Sequence, residues 1–393
     1  AFVVLDPAES GEAVTLMVDG TASPTLWIPD EKVWVDILDD QGIDVFSDEC
    51  LSVAESPLVI GMWRTVAESL GWPGLPLGWL DIGSLAADPG AWAYYSGGQF
   101  GESLRMSHAH PGLAGSGTST LLAVVQAAQS TSDAVTSEDI EQPIVQASVG
   151  AFESAVASFN ASTDNLGRTM SERGPDYLGA GVMYESTIVQ YGNNEIVAIY
   201  PLEGTFMATH PACVNQAADA QSKEAAVLFR DYLVDETAQH MALASGLRPV
   251  NDSVPLGAPL DEAHGVDPSQ PEIVFDEPSV ESVYAIQDLW QSARKPVNLV
   301  MLLDTSGSMR GSKIEGMKEA AMQFVGQMGD EDRISIIEFY SQPDLLVNIA
   351  LIGTDRERVM MTIANMEPGG DTTLFDAIGE GGAVVGATSS PEA

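Results

Sequence analysis

Short β-rich apolar runs alternate with segments of helical spacing from Ala1 to about His264. The strand-like runs are Ala1–Leu5, Thr25–Ile28, Leu58–Met62 and Ile196–Tyr200. The helix-like segments are Gly11–Val18, Thr118–Gln129, Pro143–Asn160 and Ser222–Leu233. This alternation of β-type and α-type periodicity predicts layered α/β structure.

A proline-interrupted segment, Gly265–Pro296, separates this region from the rest of the chain. Prolines break regular structure, so the segment predicts a domain boundary followed by one helix over Ser279–Ala293. The apolar stripe of that helix is Val280, Val283, Ile286 and Trp290. It is too short for sustained heptads, which favours packing on a neighbouring domain over a coiled coil.

The last region, from Pro296, repeats the α/β alternation in a regular order. The predicted elements are a strand within Val297–Asp304, a helix over Lys313–Met328, strands over Ile334–Phe339 and near Leu346–Ile349, and helices over Asp355–Asn365 and Leu374–Val385. The three glycines Gly379, Gly381 and Gly382 weaken the prediction for the last helix, because glycine has a low helix propensity.

The charge balance narrows the classes of partner. Asp and Glu number 57 against 16 Lys and Arg, which gives a net charge of −41. Such a surface repels nucleic acid phosphate and anionic membranes, and it is the kind of surface that salt-tolerant or exported proteins carry. No apolar run approaches the roughly 18 residues of a membrane span. Hydrophobic residues nevertheless make up 45% of the chain, so the composition is globular.

The strand-like run Val297–Leu303 ends on Asp304, and Ser306 and Ser308 follow at alternate positions. Ligands of open α/β sheets bind beyond the carboxyl ends of strands, and hard divalent cations prefer oxygen ligands. Asp-x-Ser-x-Ser in this context is the pattern of a metal-ion-dependent adhesion site. The alternative is an ordinary N-cap and turn.

This stretch resembles the start of a von Willebrand factor A (VWA) domain. The resemblance implies a site for Mg²⁺, or Mn²⁺ or Ca²⁺, held by Asp304, Ser306, Ser308 and a threonine of a second loop. In the matching segment, Glu367–Asp376, alignment of Thr-x-Leu-x-Asp-Ala puts Thr372 in the ligand position. Asp371 is an extra residue there, so Thr373 is a possible substitute.

The VWA resemblance also implies what the site would do. In that family a protein partner supplies a carboxylate to the open position of the metal, and a fifth metal residue, an aspartate, follows a later strand. The chain ends at Ala393 before such a strand, so we expect a partial, Rossmann-like VWA domain over residues 296–393. The motif contains no general base or nucleophile, which indicates recognition and not catalysis.

The first region resembles bacterial extracellular solute-binding proteins of the two-lobed periplasmic type that are fused to a VWA domain. The segments that carry the resemblance are Pro24–Pro29, Ser56–Trp63, His110–Gly117, Glu172–Tyr177, Tyr184–Glu185, Tyr200–Thr205 and Gly246–Pro249. It implies an α/β module over residues 1–264, with lobe one at 1–62 and 206–264 and lobe two at about 75–200. Residues 265–295 would form a linker and a helix. The family's first strand and helix would lie before Ala1.

On this resemblance the solute cleft lies between the lobes, and it brings in three sets of candidate residues. Ser116, Gly117 and Thr118 open an apolar helix and could cradle an anion, or form an ordinary N-cap. Trp27 could stack on a solute or lie in the core, and Glu185 could face the cleft or be a solvated helix residue. His108 and His110 are more typical of a turn beside Pro111 than of a zinc site.

The same resemblance implies an extracellular or periplasmic protein, anchored to a membrane through a segment outside this chain. On cysteine count alone, Cys50 and Cys213 allow a reduced pair or a disulfide. The resemblance places them in one lobe and implies a disulfide. We therefore expect a binding protein that captures a small solute of unknown identity and engages a protein partner through Mg²⁺. The alternative is a cytosolic VWA subunit that presents substrates to an AAA+ ATPase. A hydrolase is least favoured, because the common catalytic motifs are absent from the sequence.

Overall fold

The structure is a computed structural model that describes residues 3–46 and 50–388 and divides into two units, Ala1–Ala293 and Arg294–Ala393. The helices are Ser10–Val18 (α1), Val33–Asp40 (α2), Arg64–Ser69 (α3), Trp79–Ala87 (α4), Pro89–Tyr95 (α5), Gly115–Gln129 (α6), Ser137–Ile140 (α7), Pro143–Ala155 (α8), Thr163–Arg173 (α9), Glu185–Tyr191 (α10), Ala220–Leu233 (α11), Glu236–Ala244 (α12), Val280–Ala293 (α13), Ser312–Gln327 (α14), Ile352–Ala364 (α15) and Leu374–Thr388 (α16). The strands are Leu26–Trp27 (β1), Leu51–Ser52 (β2), Ser56–Trp63 (β3), Met106–Ala109 (β4), Val156–Asn160 (β5), Ala180–Tyr184 (β6), Ile196–Ile199 (β7), Met207–Ala208 (β8), Pro211–Val214 (β9), Asn298–Asp304 (β10), Arg333–Phe339 (β11) and Pro343–Leu351 (β12).

The first unit is built on a mixed sheet in the order β5–β4–β6–β3–β7, with β8 paired to the start of β3. Strand β4 runs parallel to β5 and β6, and β3 runs antiparallel to β6 and β7. Every residue of β3 is buried, in keeping with its apolar sequence from Pro57 to Trp63. The predicted end of lobe one at residue 62 therefore falls inside the sheet that carries lobe two.

A smaller antiparallel sheet, in the order β1–β9–β2, joins early residues to the segment after residue 206. Leu26 pairs with Val214 and Trp27 with Cys213. This pairing brings together the two chain segments that the sequence assigned to lobe one.

Two of the predicted elements differ from the structure. The helix expected over Pro143–Asn160 ends at Ala155, because Val156–Asn160 pairs in parallel with β4 as β5. Tertiary pairing here overrides a helical pattern that continues only weakly past residue 155. The strand expected at Ala1–Leu5 is wrong for Val3–Leu5, which form no strand and leave Val4 88% exposed. Ala1 and Phe2 lie outside the described residues.

Helix α13 belongs to the first unit. Its buried stripe of Val283, Ile286 and Trp290 joins the main core, and the helix contacts α2, α6, α7 and α8. The helical spacing of apolar residues in the sequence predicted this helix and its apolar face.

The second unit has a sheet in the order β10–β11–β12. Strands β10 and β11 are parallel, and β12 is antiparallel to β11. Its core includes Val325 of α14, Ile334 and Ile336 of β11, and Val359 and Ile363 of α15. This arrangement places the carboxyl ends of β10 and β11 side by side, with Asp304 in register with Phe339.

Candidate functional site

The predicted metal loop begins at the carboxyl end of β10. The backbone N–H of Ser306 donates to Asp304 Oδ1 at 2.8 Å, and the hydroxyls of Ser306 and Ser308 lie 2.9 Å apart. Ser306 is buried, whereas Ser308 is exposed and lies in the short 3₁₀ turn Gly307–Met309. The loop therefore gathers one carboxylate and two hydroxyls, which are oxygen donors suited to a hard cation.

The second predicted loop, residues 367–376, is hydrogen-bonded to the first. The N–H of Gly369 donates to the carbonyl of Thr305 at 2.8 Å, and the N–H of Gly307 donates to the carbonyl of Gly370 at 3.1 Å. Gly370 has φ of +70°, and a Cβ there would lie 2.4 Å from Ser341 Oγ, so glycine fits this close approach. Two reciprocal backbone bonds thus hold the predicted ligand loops together.

The structure distinguishes the two candidate threonines. Thr372 is exposed. The Oγ1 atom of Thr373 is buried and has no hydrogen-bond partner among the residues that the structure describes. An orphaned buried hydroxyl costs free energy unless something else satisfies it, and a bound cation would do so. The residues present therefore fit a metal, with Thr373 the better placed of the two.

Acidic groups lie along the same edge of the sheet. Burial, and then the charge of Asp344, raise the pKa of the Glu338 carboxyl above its usual value. The hydroxyl of Thr305 points to Glu338 Oε2 at 3.5 Å. A cavity of about 630 Å³ opens beside these loops and is lined by Glu338, Tyr340 and Gly370 among others.

The other candidate site lies where helix α6 begins. Its first residues are fully buried, and their hydroxyls are already used: Ser116 Oγ lies 2.6 Å from Thr163 Oγ1, and Thr118 Oγ1 donates to the carbonyl of Pro111. A Cβ at Gly117 would lie 2.3 Å from the carbonyl oxygen of Ala109, so the helix packs directly on the end of β4. These residues form an N-terminus that is closely packed against its surroundings.

Carboxyl groups of the protein itself occupy the space in front of α6. The position of a Cβ on Gly115 lies 2.4 Å from Asp30 Oδ2 and 2.9 Å from Glu31 Oε2. Carboxylates at a helix N-terminus are favourably placed with respect to the helix dipole. The anion cradle expected at residues 116–118 is thus faced by acidic side chains of lobe one, and these would repel an anionic solute.

Asp30 and Glu31 belong to a cluster that also contains Glu9 and His210 and that is called the acidic cluster below. Sequence reasoning did not identify this cluster. Burial first, and then Asp30, raise the pKa of Glu9 from 4.5 to about 8 and that of Glu31 to about 8. Burial lowers the pKa of His210, whose Nδ1 lies 4.0 Å from Asp30 Oδ1. The available signal was Pro29-Asp-Glu31 directly after the short apolar run of β1, at the edge where ligands of α/β sheets bind.

The remaining cleft candidates have structural contacts. Trp27 is 8% exposed and its ring lies 5.5 Å from that of Phe46, in the core. Glu185 is fully buried and accepts two hydrogen bonds from Arg248, at 2.8 and 2.7 Å, together with one from Tyr200. A paired buried carboxylate of this kind joins α10 to the segment after α12, and Glu185 is not a solvated helix residue.

The two histidines also have structural roles. His108 lies in β4 and not in a turn, and its Nε2 is 2.8 Å from Glu153 Oε1, both side chains being buried. His110 accepts a hydrogen bond from the N–H of Gly112 and packs on Trp290 at 4.6 Å. Within residues 3–46 and 50–388, no three His, Cys, Asp or Glu side chains come together as a metal cage.

Cys50 and Cys213 form a disulfide with an S–S distance of 2.04 Å. It links residues 163 positions apart, just before β2 and within β9. Closing so long a loop restricts the unfolded chain and is worth about 5 kcal/mol in the entropy model. The bond therefore fastens the small sheet of lobe one.

A separate cavity of about 660 Å³ lies at the β7 edge of the first unit, between α3, residues 72–77 and residues 262–273. Its lining includes Arg64, whose guanidinium lies 5.4 Å from the Trp72 ring. This cavity is not at the start of α6, where solute-binding chemistry was expected.

Two family models match the chain. The model described as bacterial extracellular solute-binding protein matches residues 3–248, and the model described as von Willebrand factor type A domain matches residues 299–389. Both matches agree with the resemblances found in the sequence.

Solved structures share the fold of the first unit. A periplasmic thiamin binding protein covers 74% of this chain and 85% of its own, with a TM-score of 0.53 and 13% identity. The periplasmic binding protein AfuA from Actinobacillus pleuropneumoniae, with fructose-6-phosphate bound, covers 73% of this chain and 88% of its own, with a TM-score of 0.50 and 11% identity. At such identities the likeness establishes the fold alone.

Among curated proteins, inter-alpha-trypsin inhibitor heavy chain H4 of Sus scrofa is 28% identical over 95 residues. The match covers 24% of this chain, and it spans 10% of the length of that protein. An uncharacterized protein of Synechocystis sp. is 37% identical over 54 residues, which is 13% of its length. Among the described residues, none of the helices combines the length and apolarity that crossing a bilayer requires.

Proposed function

The chain belongs to the bacterial extracellular solute-binding protein family, and from that premise we propose that it is an exported binding protein with two binding sites. A small solute is captured between lobe one and lobe two. A protein partner is recognised by the VWA domain through Mg²⁺. The location is extracellular or periplasmic, in keeping with the family.

The observation that carries the metal part is the orphaned hydroxyl of Thr373 in a loop fastened to Thr305 and Gly307. Asp304, Ser306, Ser308 and Thr373 would hold the ion. When bound, the ion offers an open coordination position to a carboxylate. The residues of the chain orient the oxygen donors and the adjoining cavity admits the partner's side chain.

The proposal involves recognition without chemistry. Asp304 already accepts the N–H of Ser306, which fixes its carboxylate at the strand end. The Ser306 and Ser308 hydroxyls, 2.9 Å apart, can turn their lone pairs to a shared cation. The match of residues 3–248 to a solute-binding family favours this proposal over the AAA+ alternative, which involves no such module.

Calorimetric titration of Mg²⁺ into the protein tests the metal site. We expect saturable binding in about 0.15 M salt, where a Debye length near 8 Å screens the general acidic surface. Asp304→Ala removes the only carboxylate of the predicted ligand set. Its affinity should fall by at least about 100-fold, because even outer-shell partners of metals are worth 10- to 100-fold.

Glu357→Gln is the matched control, because it removes one exposed carboxylate from α15 of the same unit. It should bind Mg²⁺ as the wild type does. Equal binding by wild type and D304A would show that Mg²⁺ associates only with the general surface charge, and the metal part of the proposal would then be wrong.

A further inference from the structure

Side chains of lobe one reach across the cleft and hydrogen-bond directly to lobe two. The hydroxyl of Tyr184 donates to Glu31 Oε1 at 3.1 Å, and the hydroxyl of Ser119 points to the same oxygen at 3.3 Å. The N–H of Thr163 donates to Glu9 Oε1 at 3.2 Å. Tyr184 ends β6, Ser119 lies in α6 and Thr163 begins α9, so two carboxyls bridge to three elements of lobe two.

The charged side chains with the largest effects on the two bridging carboxyls are all acidic. The charged groups that act on Glu9 are Asp30, Glu12 and Asp164, and the group that acts on Glu31 is Asp30. His210 faces Asp30 at 4.0 Å, but burial lowers its pKa, so its ring is neutral at pH 7. Tyr184 is buried against the same cluster, and its pKa is raised by burial, Asp30 and Glu31. Ionised carboxylates in this place would repel one another across a poorly solvated interface.

The atoms around Glu31 show how tightly the cluster is closed. Glu31 is 3% exposed, and its second oxygen, Oε2, accepts the indole N–H of Trp34 at 3.2 Å. The adjacent Asp30 accepts the hydroxyl of Ser10 at 3.0 Å. The Nε2 atom of His210 is buried and makes no hydrogen bond with any residue that the structure describes. Water is therefore largely excluded from Glu31, whereas the side chains of Asp30 and His210 remain 18% and 21% exposed.

We propose that closure of the solute cleft is coupled to proton uptake by Glu9 and Glu31, which bridge the lobes as neutral acids and release them when ionised. This regulation rests on the proposed solute capture between the same lobes. Opening returns the carboxyls to water, where their ordinary acidity is restored. Closing takes up at most one proton per carboxyl.

The direction of the pH effect follows from the acidity of the two groups. The pKa of each carboxyl rises from an ordinary 4.5 to about 8 in the closed arrangement. Below about pH 4.5 the two carboxyls are protonated in both forms and add no pH dependence, while His210, whose pKa is lowered by burial, opposes closure at low pH. Between about pH 4.5 and about pH 8 the closed form holds more protons on the two carboxyls than the open form. The closed-to-open ratio therefore falls by up to about tenfold per pH unit for each carboxyl. Above about pH 8 the full cost is present and the ratio stops changing.

Distance measurement between spin labels tests the coupling. Labels at Asp19→Cys at the end of α1 and Glu138→Cys in α7 place one exposed position in each lobe, and both native cysteines are in the disulfide. Double electron–electron resonance at pH 5, 6, 7, 8 and 9 reports the two populations. We expect the short distance to dominate at pH 5 and the longer distance to grow towards pH 8.

The substitutions Glu31→Gln and Glu9→Gln each replace a carboxyl by an amide, which cannot ionise but still has an acceptor oxygen. Each variant should therefore remain closed to higher pH than the unsubstituted labelled protein. Asp44→Asn, which removes an exposed carboxylate of lobe one, is the matched control and should follow the unsubstituted protein. Far-UV circular dichroism of each variant separates a folded, open protein from an unfolded one.

Three results are distinguishable. If the short distance gives way at high pH and E31Q abolishes or delays the change, the coupling is supported. If two distances coexist in proportions that do not depend on pH, the cleft opens and solute capture stands, but the coupling is overturned. If only the short distance is present for every variant at every pH, the lobes do not open, and both the coupling and capture between the lobes are overturned.

Discussion

At the scale of single residues, the candidate sites differ in how completely their polar atoms are satisfied. Glu185 is fully paired by Arg248 and Tyr200, and Ser116 and Thr118 are used within the fold. Thr373 has an unsatisfied buried hydroxyl. Buried polar groups are nearly always hydrogen-bonded, so an unsatisfied hydroxyl in a loop that is bonded to the predicted metal loop points to a ligand there.

The threonine assignment gives a prediction at this scale. Thr373→Ala should weaken Mg²⁺ binding by roughly tenfold or more, because even outer-shell partners of metals are worth 10- to 100-fold. Thr372→Ala should change it less than about threefold, because the exposed Thr372 is not a ligand in this account. Calorimetric titration of the two variants checks it. The reverse order would assign the ligand to Thr372, as alignment of the sequence motif suggested.

Sequence reasoning succeeded with residues whose role depends on local pattern. Asp304, Ser306 and Ser308 follow a strand at fixed spacing, and the structure places them at a strand end. It did not foresee the ion pair of Glu185 with Arg248, because the partners are 63 positions apart. The acidic cluster at the lobe interface was missed for the same reason: Glu9 and Glu31 meet Thr163 and Tyr184 only after folding.

At the scale of elements, the long helix α6 shows how close packing restricts sequence. Its residues Gly115–Ala127 are buried, and it contacts α4, α8, α13, β4 and β6. The apolar sequence of the helix was readable from its pattern. The end of α8 at Ala155 was not, because only the neighbouring strand β4 makes Val156–Asn160 extended.

Two glycine substitutions test this packing at the element scale. A Cβ at Gly117 would lie 2.3 Å from the carbonyl oxygen of Ala109, whereas a Cβ at Gly150 in α8 meets no atom within 4 Å. Gly117→Ala should lower the free energy of unfolding by about 1–3 kcal/mol through overpacking. Gly150→Ala should raise it by up to about 1 kcal/mol through helix propensity.

Urea unfolding followed by circular dichroism measures both variants. The two substitutions add the same methyl group, so the difference between them isolates the steric environment. Equal effects of G117A and G150A would contradict the close approach of α6 to the end of β4.

At the scale of the whole molecule, the first unit is fastened by its disulfide and by hydrogen bonds between its lobes, and the second unit brings two loops together at one sheet edge. The net charge of −41 surrounds both. A chain with this charge attracts divalent cations at many places, so binding of Mg²⁺ alone does not show where the ion lies.

Hydrogen exchange measured by mass spectrometry with and without Mg²⁺ tests the central claim most directly, because it locates the ion. We predict slower amide exchange in peptides covering residues 304–310 and 367–376, little change in the peptides around Glu9 and Glu31, and loss of the protection in Asp304→Ala. Protection spread evenly over acidic surface segments, or protection in the two loops that persists in D304A, would contradict a metal-dependent recognition site at the end of β10.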